Sequence, residues 1–277
     1  MADIYGSHFE YGGVLSRQYG LIIATVNASR MSKLNGDISG STVFSKIAQK
    51  RYLVGDDMSS SPLSFDVEIV TDNERGIEQS ERRAIERWLF NKHNYRKLYF
   101  DMTDDCFDDM TELIDGIHKR LYLNCRFVNP EKLEYNGGIV GYKATLEADS
   151  NMFWQDAIEK TFSVNNASAS ATSIISIDVD SDIDDYIYPK VTFTLGSVGG
   201  NVIFINNTDD SMRFTKFVGL SANATITMKG ELNYISGQYY EKFSTRNFIR
   251  LLDGTNNITV QGNVKTVKVE FQNRRNF

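Results

Sequence analysis

The sequence predicts a mainly β protein of two domains, with one principal helix. Three observations support this fold class: apolar and polar residues alternate in several stretches, Asn, Gly and Asp separate those stretches, and a run of small polar residues divides the chain. The chain has 277 residues, of which 41% are hydrophobic and 12% aromatic. This is enough for two medium domains that each bury a core.

The first half of the chain contains stretches with the two-residue period of a half-buried strand. They are Leu63–Val70, Arg120–Val128 and Gly138–Ala148. The last stretch follows Asn136-Gly137, a pair that tolerates positive φ and favours a tight hairpin turn. We therefore expect Arg120–Phe127 to pair with Ile139–Glu147, through a loop that contains Pro130.

One stretch has the period of an amphipathic helix. Ser80 is placed to cap it, and Glu81 suits the positive end of its dipole. Its apolar stripe consists of Ala84, Ile85, Trp88 and Leu89. Asn91 and Asn94 end the pattern, and the stripe predicts that the helix is buried against the first core. A second, weaker helical pattern runs from Asp108 to Ile117.

The second half returns to strand patterns after a stretch that reads as a linker. Ser163–Ser173 is small and polar with one valine, a composition typical of linkers. The predicted strands are Ile174–Asp180, Lys190–Leu195, Asn201–Ile205, Ala224–Met228, Ile258–Val260 and Thr266–Phe271. Short strands with Gly, Asn and Asp turns predict a β-sandwich. The predicted domains are residues 1–162 and 163–277.

Charge and composition argue against several classes of protein. Thirty Lys and Arg residues against 36 Asp and Glu residues give a net charge of −6, which suits a nucleic-acid-binding protein poorly. No stretch approaches the roughly 20 apolar residues of a bilayer span. Met1–Ser7 carries Asp3 and lacks the features of a signal peptide, so we expect folding in a cytoplasm. Cys106 and Cys125 lack zinc or redox spacing and are expected to be reduced, buried thiols.

Several segments, taken in their order along the chain, carry a resemblance to a known family. They are Phe9–Ser16 (FEYGGVLS), Tyr19–Leu21, Trp88-Leu89, Lys97–Phe100 (KLYF), Tyr188–Val191 (YPKV), Phe248–Ile258 (FIRLLDGTNNI), Gly262 and Val267–Phe271 (VKVEF). They resemble the distal tail proteins of siphophages, over nearly the whole chain. The acidic stretch Asp101–Asp109 departs from the family pattern because it carries more charge.

The resemblance implies an N-terminal belt domain, a β-sandwich or barrel with one α-helix, and a C-terminal galectin-like β-sandwich. It implies a structural, non-enzymatic protein of the virion tail tip, synthesised in the cytoplasm of the host bacterium. Its belt domains would form a homo-hexameric ring that joins the tail tube protein to the tail-associated hub protein. Receptor-binding and tape-measure proteins are further partners of such a ring. DNA would pass through its lumen without specific binding, and no membrane or cofactor is implied.

Two acidic stretches have spacings that could hold a cation. Asp101–Glu112 partly matches a calcium loop, but Cys106 stands where that loop needs glycine for its sharp turn. Asp178, Asp180, Asp182 and Asp184 alternate along one predicted strand, where they either face water or share a cation. We expect solvated acidic faces at both places, and we assign no metal-ligating residue.

The remaining candidates are histidines and aromatic residues. His8, His93 and His118 are scattered and accompany no nucleophile motif, so we assign no catalytic residue and rank an enzyme, such as a cell-wall hydrolase, last. Another set could form a sugar-stacking platform or pack in the core: Tyr234, Tyr239, Tyr240 and Phe243. Core or interface packing is favoured, and a host-glycan-binding module of the tail is the alternative function.

Overall fold

The chain folds into two compact units, Met1–Gln155 with Arg275–Phe277 and Asp156–Arg274. The computed structural model describes residues 6–24, 37–45, 50–59, 62–73, 75–91, 94–100, 111–114, 117–150, 152–182 and 185–275. Within these residues strands predominate, as the sequence predicted, and the first unit contains an α-helix. Among the described residues, no helix has both the length and the apolar composition needed to span a bilayer.

The first unit is built on one antiparallel sheet. Its elements are β1 Gly6–Ser7, β2 Phe9–Tyr11, β3 Val14–Leu15, a 3-10 helix Ser16–Tyr19, β4 Leu21–Ala24, β5 Asp37–Ser45, β6 Lys50–Ser59, β7 Ser64–Thr71, α1 Gln79–Leu89, β8 Arg96–Phe100, β9 Thr111–Ile114, β10 Ile117–Tyr135, β11 Gly138–Ala148 and β12 Phe153–Gln155. The main strand order is β1-β4-β7-β11-β10-β8-β2-β3, with β9 and β12 paired to the start of β10. The pair β5–β6 forms a separate two-stranded ladder.

The core of the first unit lies between α1 and one face of the sheet. Ile85, Trp88 and Leu89 are buried there, as predicted, whereas Ala84 is exposed and does not belong to the stripe. The prediction that Ser80 caps the helix is wrong. Ser80 lies inside α1, and the N-cap residue Glu78 makes no side-chain capping bond. The helix is therefore stabilised by burial of its apolar stripe and not by a capping side chain.

The predicted pairing of two strands of the first unit is confirmed only in part, because Arg126↔Glu147 and Phe127↔Leu146 are the pairs that fall within both predicted ranges, and the predicted loop is wrong. Strands β10 and β11 stay paired up to Tyr135↔Gly138, and the turn is Asn136-Gly137 with φ values of 49° and 80°. Pro130 lies within β10, at a shift of register between Val128 and Glu131. A proline fits there because a bulge removes the need for a ladder donor.

The second predicted helix of the first half is wrong where the structure describes it. Residues 111–114 form β9, which pairs with the start of β10 from Ile114↔Ile117 to Thr111↔Arg120. Residues 101–110, where that helix would begin, lie outside the described residues. Strand pairing decides the conformation here, because the helical pattern has no strong apolar stripe to bury.

The second unit is a two-sheet β-sandwich. Its elements are β13 Ile158–Ser163, β14 Thr172–Val179, β15 Lys190–Leu195, β16 Gly200–Asn206, β17 Phe214–Leu220, β18 Thr225–Lys229, β19 Tyr234–Ile235, a 3-10 helix Gly237–Lys242, β20 Gly254–Gln261 and β21 Val264–Phe271. The last short strand of the chain, β22 Arg274–Arg275, pairs with β12 and is not part of the sandwich. The sheets have the orders β13-β21-β15-β18-β19 and β14-β20-β16-β17. They pack through Phe193, whose ring lies 5.1 Å from Phe204 and 5.3 Å from Phe217.

All six strands predicted for the second half are present, but the unit begins earlier than the predicted domain. Strand β13 pairs with β21 from Ile158↔Phe271 to Ser163↔Thr266, so the division falls between Gln155 and Asp156 instead of at residues 162 and 163. Strand β13 was not predictable from the sequence, because its mixed polar and apolar residues show no clean alternation.

The stretch that reads as a linker is a hydrogen-bonded loop inside the second unit. Asn166 is buried, and its side-chain Nδ2 donates to the Val260 main-chain carbonyl at 3.1 Å. The main-chain carbonyl of Asn166 accepts from Asn263 Nδ2 at 2.6 Å. Ser173 Oγ donates to Asn166 Oδ1 at 2.6 Å. Small polar residues occur in both linkers and internal loops, so composition alone could not separate the two.

The Trp88 ring stacks on Phe9 and Tyr19. Replacement of Trp88 by alanine should lower the free energy of unfolding by about 3–5 kcal/mol, because it leaves a cavity beside these two rings. Urea unfolding of the full chain measures this. The control is Arg83→Ala, an exposed change on the same helix that should stay within about 0.5 kcal/mol of the parent. Equal midpoints for the Trp88 variant and the parent would contradict the packing of α1.

A fragment of residues 156–274 should fold alone, whereas residues 165–274 should not, because the shorter fragment loses β13 and leaves one side of β21 unpaired. Near-ultraviolet circular dichroism and thermal melts compare the two. Cooperative melts at the same temperature for both fragments would show that β13 is dispensable and that the unit begins later.

Candidate interaction surfaces

The acidic stretches considered in the sequence analysis assemble no cluster in the described residues. Residues 101–110 lie outside those residues, and Glu112 belongs to β9. Strand β14 ends at Val179, so only Asp178 of its acidic series lies on the strand, where it accepts a bond from Thr255 Oγ1 at 2.8 Å. Asp184 is also outside the described part, in which no three His, Cys, Asp or Glu residues are grouped to hold a metal ion.

His8 and Cys125 have defined surroundings in the first unit. His8 Nδ1 lies 3.0 Å from the Leu21 carbonyl oxygen. His93 is outside the described residues, and His118 lies on β10. Burial raises the pKa of the Cys125 thiol, so the group stays protonated and has little nucleophilic character. Cys106 lies outside the described residues.

The four aromatic residues considered as a sugar platform do not share a surface. Phe243 is a core residue with 2% exposure, stacked on Phe217 at 5.1 Å. The Tyr240 ring has the Arg246 guanidinium 4.4 Å from its centroid, and Tyr234 has Lys229 Nζ at 5.8 Å. The remaining member, Tyr239, is half-buried in a 3-10 helix. Phe243 therefore packs in the core, whereas Tyr234 and Tyr240 are exposed, so the four residues do not form one platform.

On the first unit, the sheet face opposite the core carries a cluster of cations and tyrosines. Leu98 and Leu123 point into the core, so the alternation of the strands places Tyr99 and Tyr122 on the other face. The two rings lie 5.3 Å apart. Lys97 Nζ is 3.9 Å from the Tyr122 centroid, and the Arg120 guanidinium is 3.8 Å from that of Tyr99. This cluster was not among the features predicted from the sequence, although the alternation around Leu98 and Leu123 was a usable signal.

Farther along the same face, oppositely charged residues pair across strands. Arg126 Nη2 lies 2.7 Å from Glu147 Oε2, and the hydrogen bond to Glu147 raises the pKa of Arg126. Asp66 Oδ1 accepts from Thr145 Oγ1 at 3.0 Å, while its Oδ2 lies 3.9 Å from Lys143 Nζ. Exposed pairs of this kind contribute little stability, but they favour the observed strand register.

The two outer faces of the second unit differ in character. The five-stranded sheet presents a hydrogen-bonded polar face: Thr192–Thr227 at 2.9 Å, Thr194–Thr225 at 3.0 Å, Lys190–Glu270 at 2.7 Å and Lys268–Glu159 at 2.7 Å. The four-stranded sheet exposes Ile174 (67%), Phe214 (38%) and Val218 (39%). Ile174 lies on one edge strand and Phe214 and Val218 lie on the other. Since exposed apolar residues favour contact with other proteins, the four-stranded sheet is the stronger candidate for binding another protein.

One ion pair of the second unit is well enclosed. Arg250 binds Asp209 with both ends of its fork, Nε to Oδ2 at 2.7 Å and Nη2 to Oδ1 at 2.9 Å, and it lies 3.6 Å from the Tyr186 centroid. The hydrogen bond to Asp209 raises the pKa of Arg250. The adjacent cavity has a volume of about 10 Å³, which suits one water molecule and no larger ligand. This cluster therefore positions a loop.

Comparisons with known proteins identify the family of the chain. Residues 4–150 match a family model described as a phage tail protein N-terminal domain, and residues 154–271 match one described as a phage tail C-terminal domain. The chain belongs to this family of phage tail proteins. The two matches adjoin near the division at Gln155 and Asp156. A comparison with curated proteins gives no match.

Solved structures show which fold this tail protein has. The crystal structure of the Dit protein of phage SPP1, described as a paradigm of the hub adsorption apparatus in phages that infect Gram-positive bacteria, matches with a TM-score of 0.61 and 10% identity, over 96% of this chain and 98% of that one. A chain of the phage P2 baseplate in its activated conformation with calcium matches with a TM-score of 0.49 and 9% identity, over 98% of both chains. The tail protein thus has the fold of SPP1 Dit, which confirms the fold class predicted from the sequence.

Replacement of Arg250 by lysine in the tail protein should cost about 1–2 kcal/mol, because lysine cannot bind both Asp209 oxygens and stack on Tyr186 together. The matched control is Arg246→Lys, where the arginine is exposed over Tyr240 and the expected change is below about 0.5 kcal/mol. Urea unfolding measures both. Equal losses for the two variants would show that the fork to Asp209 contributes nothing beyond the stacking.

Proposed function

We propose that this tail protein is a distal tail protein, a non-enzymatic structural component of the tail tip. The observation that carries the proposal is the fold shared with SPP1 Dit across 96% of this chain and 98% of that one. A match of that extent includes both units in the same order, which a shared β-sandwich alone would not produce. Membership of the phage tail family supports the same role.

The proposed assembly is a homo-hexameric ring built by the first unit. This unit suits a ring component because its long sheet is covered on one face by α1 and terminates in strands of two residues, β1 and β3. Such short edge strands offer little for open-ended strand pairing. Ring contacts would therefore come from side-chain surfaces, which can define a closed geometry.

The ring would join the tail tube protein to the hub protein and enclose the channel for DNA. A net charge of −6 supports passage without tight binding, because DNA affinity depends on basic residues that neutralise phosphates. The second unit would then serve as the contact point for further tail proteins, such as receptor-binding or tape-measure proteins. Its exposed apolar residues Ile174, Phe214 and Val218 support that assignment.

Negative-stain micrographs of the purified full chain should show closed rings with six-fold symmetry and a central hole, and mass photometry should give the mass of six chains. The fragment of residues 156–274 is the control and should remain monomeric, because the ring contacts are assigned to the first unit. Rings formed by that fragment, or a full chain that is monomeric both alone and beside its tube protein, would contradict the proposal.

A further inference from the structure

Three of the four edge strands of the second unit are protected against pairing with another chain. Strand β19 has only two residues. Strand β17 is covered, because both main-chain groups of Lys216 are already bonded. Its carbonyl oxygen accepts from Ser244 N–H at 2.8 Å, and its N–H donates to Thr245 Oγ1 at 3.1 Å. Strand β13 carries two adjacent charged residues, Glu159 and Lys160. Shortness, cover and charge are the usual protections of a sheet edge.

The fourth edge strand, β14, has none of these protections. It has eight residues, Thr172–Val179, without proline, glycine, lysine or arginine, and its one charged residue is Asp178 near its end. Its register with β20 runs unbroken from Thr172↔Gln261 to Val179↔Gly254. A regular, nearly uncharged edge of this length is a template for an added strand.

The hydrogen-bond phase identifies the groups that this edge offers. Gly262 N–H donates to the Ala171 carbonyl at 3.0 Å, so residues 171 and 262 form a hydrogen-bonded pair. Alternation then turns the main-chain groups of Ser173, Ile175 and Ile177 toward β20. The N–H and C=O groups of residues 172, 174, 176 and 178 point away from the sheet. Among the described residues, none forms a backbone hydrogen bond with these outward groups.

We propose that β14 accepts an extended segment of another tail protein as a fifth strand of this sheet. The identity of the partner as a tail protein rests on the proposed function, whereas the strand addition rests on the open edge. The segment pairs its backbone with Ile174 and Ser176 and places an apolar side chain beside Ile174, which is 67% exposed. A basic residue of the segment faces Asp178, the exposed carboxylate of the strand.

Hydrogen exchange at single-residue resolution tests the pairing directly, in the purified chain and in intact phage tails. The amides of Ile174 and Ser176 should exchange fast in the free protein and at least about tenfold more slowly in tails. The amides of Ser173 and Ile175 should be slow in both, because they bond to β20. Outward amides that exchange equally fast in tails overturn the proposal. The proposal is also overturned if these amides are already protected in the free protein and light scattering shows a dimer, because a second copy of the chain would then occupy the edge of β14.

Two serines of β14 form a matched pair of proline substitutions. Ser176→Pro removes an outward N–H and should leave the melting temperature of the free protein nearly unchanged while reducing incorporation into tails at least about tenfold. Ser173→Pro removes an N–H that bonds to β20 and should lower the melting temperature. Incorporation is measured by complementing a phage that lacks the gene. Ser176→Pro with parental stability and parental incorporation overturns the proposal.

A pair of lysine substitutions tests the same proposal if the Ser176→Pro variant does not fold. Ile174→Lys places a charge on the open edge and should block incorporation, whereas Leu232→Lys, at a similarly exposed site (69%) before β19, should not. Equal incorporation of both lysine variants overturns the proposal. Micrographs of each variant separate this result from the ring: variants that form rings but stay out of tails support strand addition. If the parent forms no rings but its Ile174 amide is protected in tails, the proposed ring is wrong and the proposed strand addition stands.

Discussion

Trp88 joins the helix of the first unit to the sheet that the helix covers, and the arrangement of the unit depends on this contact. Its indole ring stacks on Phe9 at 5.6 Å and on Tyr19 at 5.4 Å, while its Nε1 donates to the Tyr11 carbonyl at 2.9 Å. Phe9 and Tyr11 lie on β2, near one end of the sheet order, so a single side chain holds the helix against a strand far away in sequence. The polar bond fixes the orientation of the ring, and the stacking excludes water from it.

Features that depend on local chemistry could be predicted from the sequence, and features that depend on distant partners could not. The Asn136-Gly137 turn was predictable because positive φ at two successive residues requires such a pair. The strand Lys190–Leu195 was predictable from its alternation alone. The role of Asn166 was not, because its burial depends on bonds to Val260 and Asn263, nearly a hundred residues away. A polar loop with such partners has the composition of a linker.

The candidate surfaces show the same division between local and distant information. Phe243 is close in sequence to three tyrosines, which suggested a shared platform, but its ring packs among Phe217 and Phe248 in the core. Tyr99 and Tyr122 are far apart in sequence, yet strand pairing brings them together under Lys97 and Arg120. Residues 101–110 lie outside the described residues, so the expectation of a solvated acidic loop there stays a prediction.

The outer face of the four-stranded sheet of the second unit is better suited to association than that of the five-stranded sheet. Its five-stranded sheet satisfies its outer threonines and charges within the sheet, so a partner there would have to break existing bonds before it formed its own. Its four-stranded sheet presents apolar side chains that lose no hydrogen bond on contact, and these include Ile174 on the open strand β14. A face and an edge of the same sheet are therefore available together, and one partner segment can use both. Because the opposite edge, β17, is already bonded to Ser244 and Thr245, a strand can be added to this sheet at the β14 edge only. One open edge and one covered edge prevent copies of this unit from pairing edge to edge into an open-ended fibre.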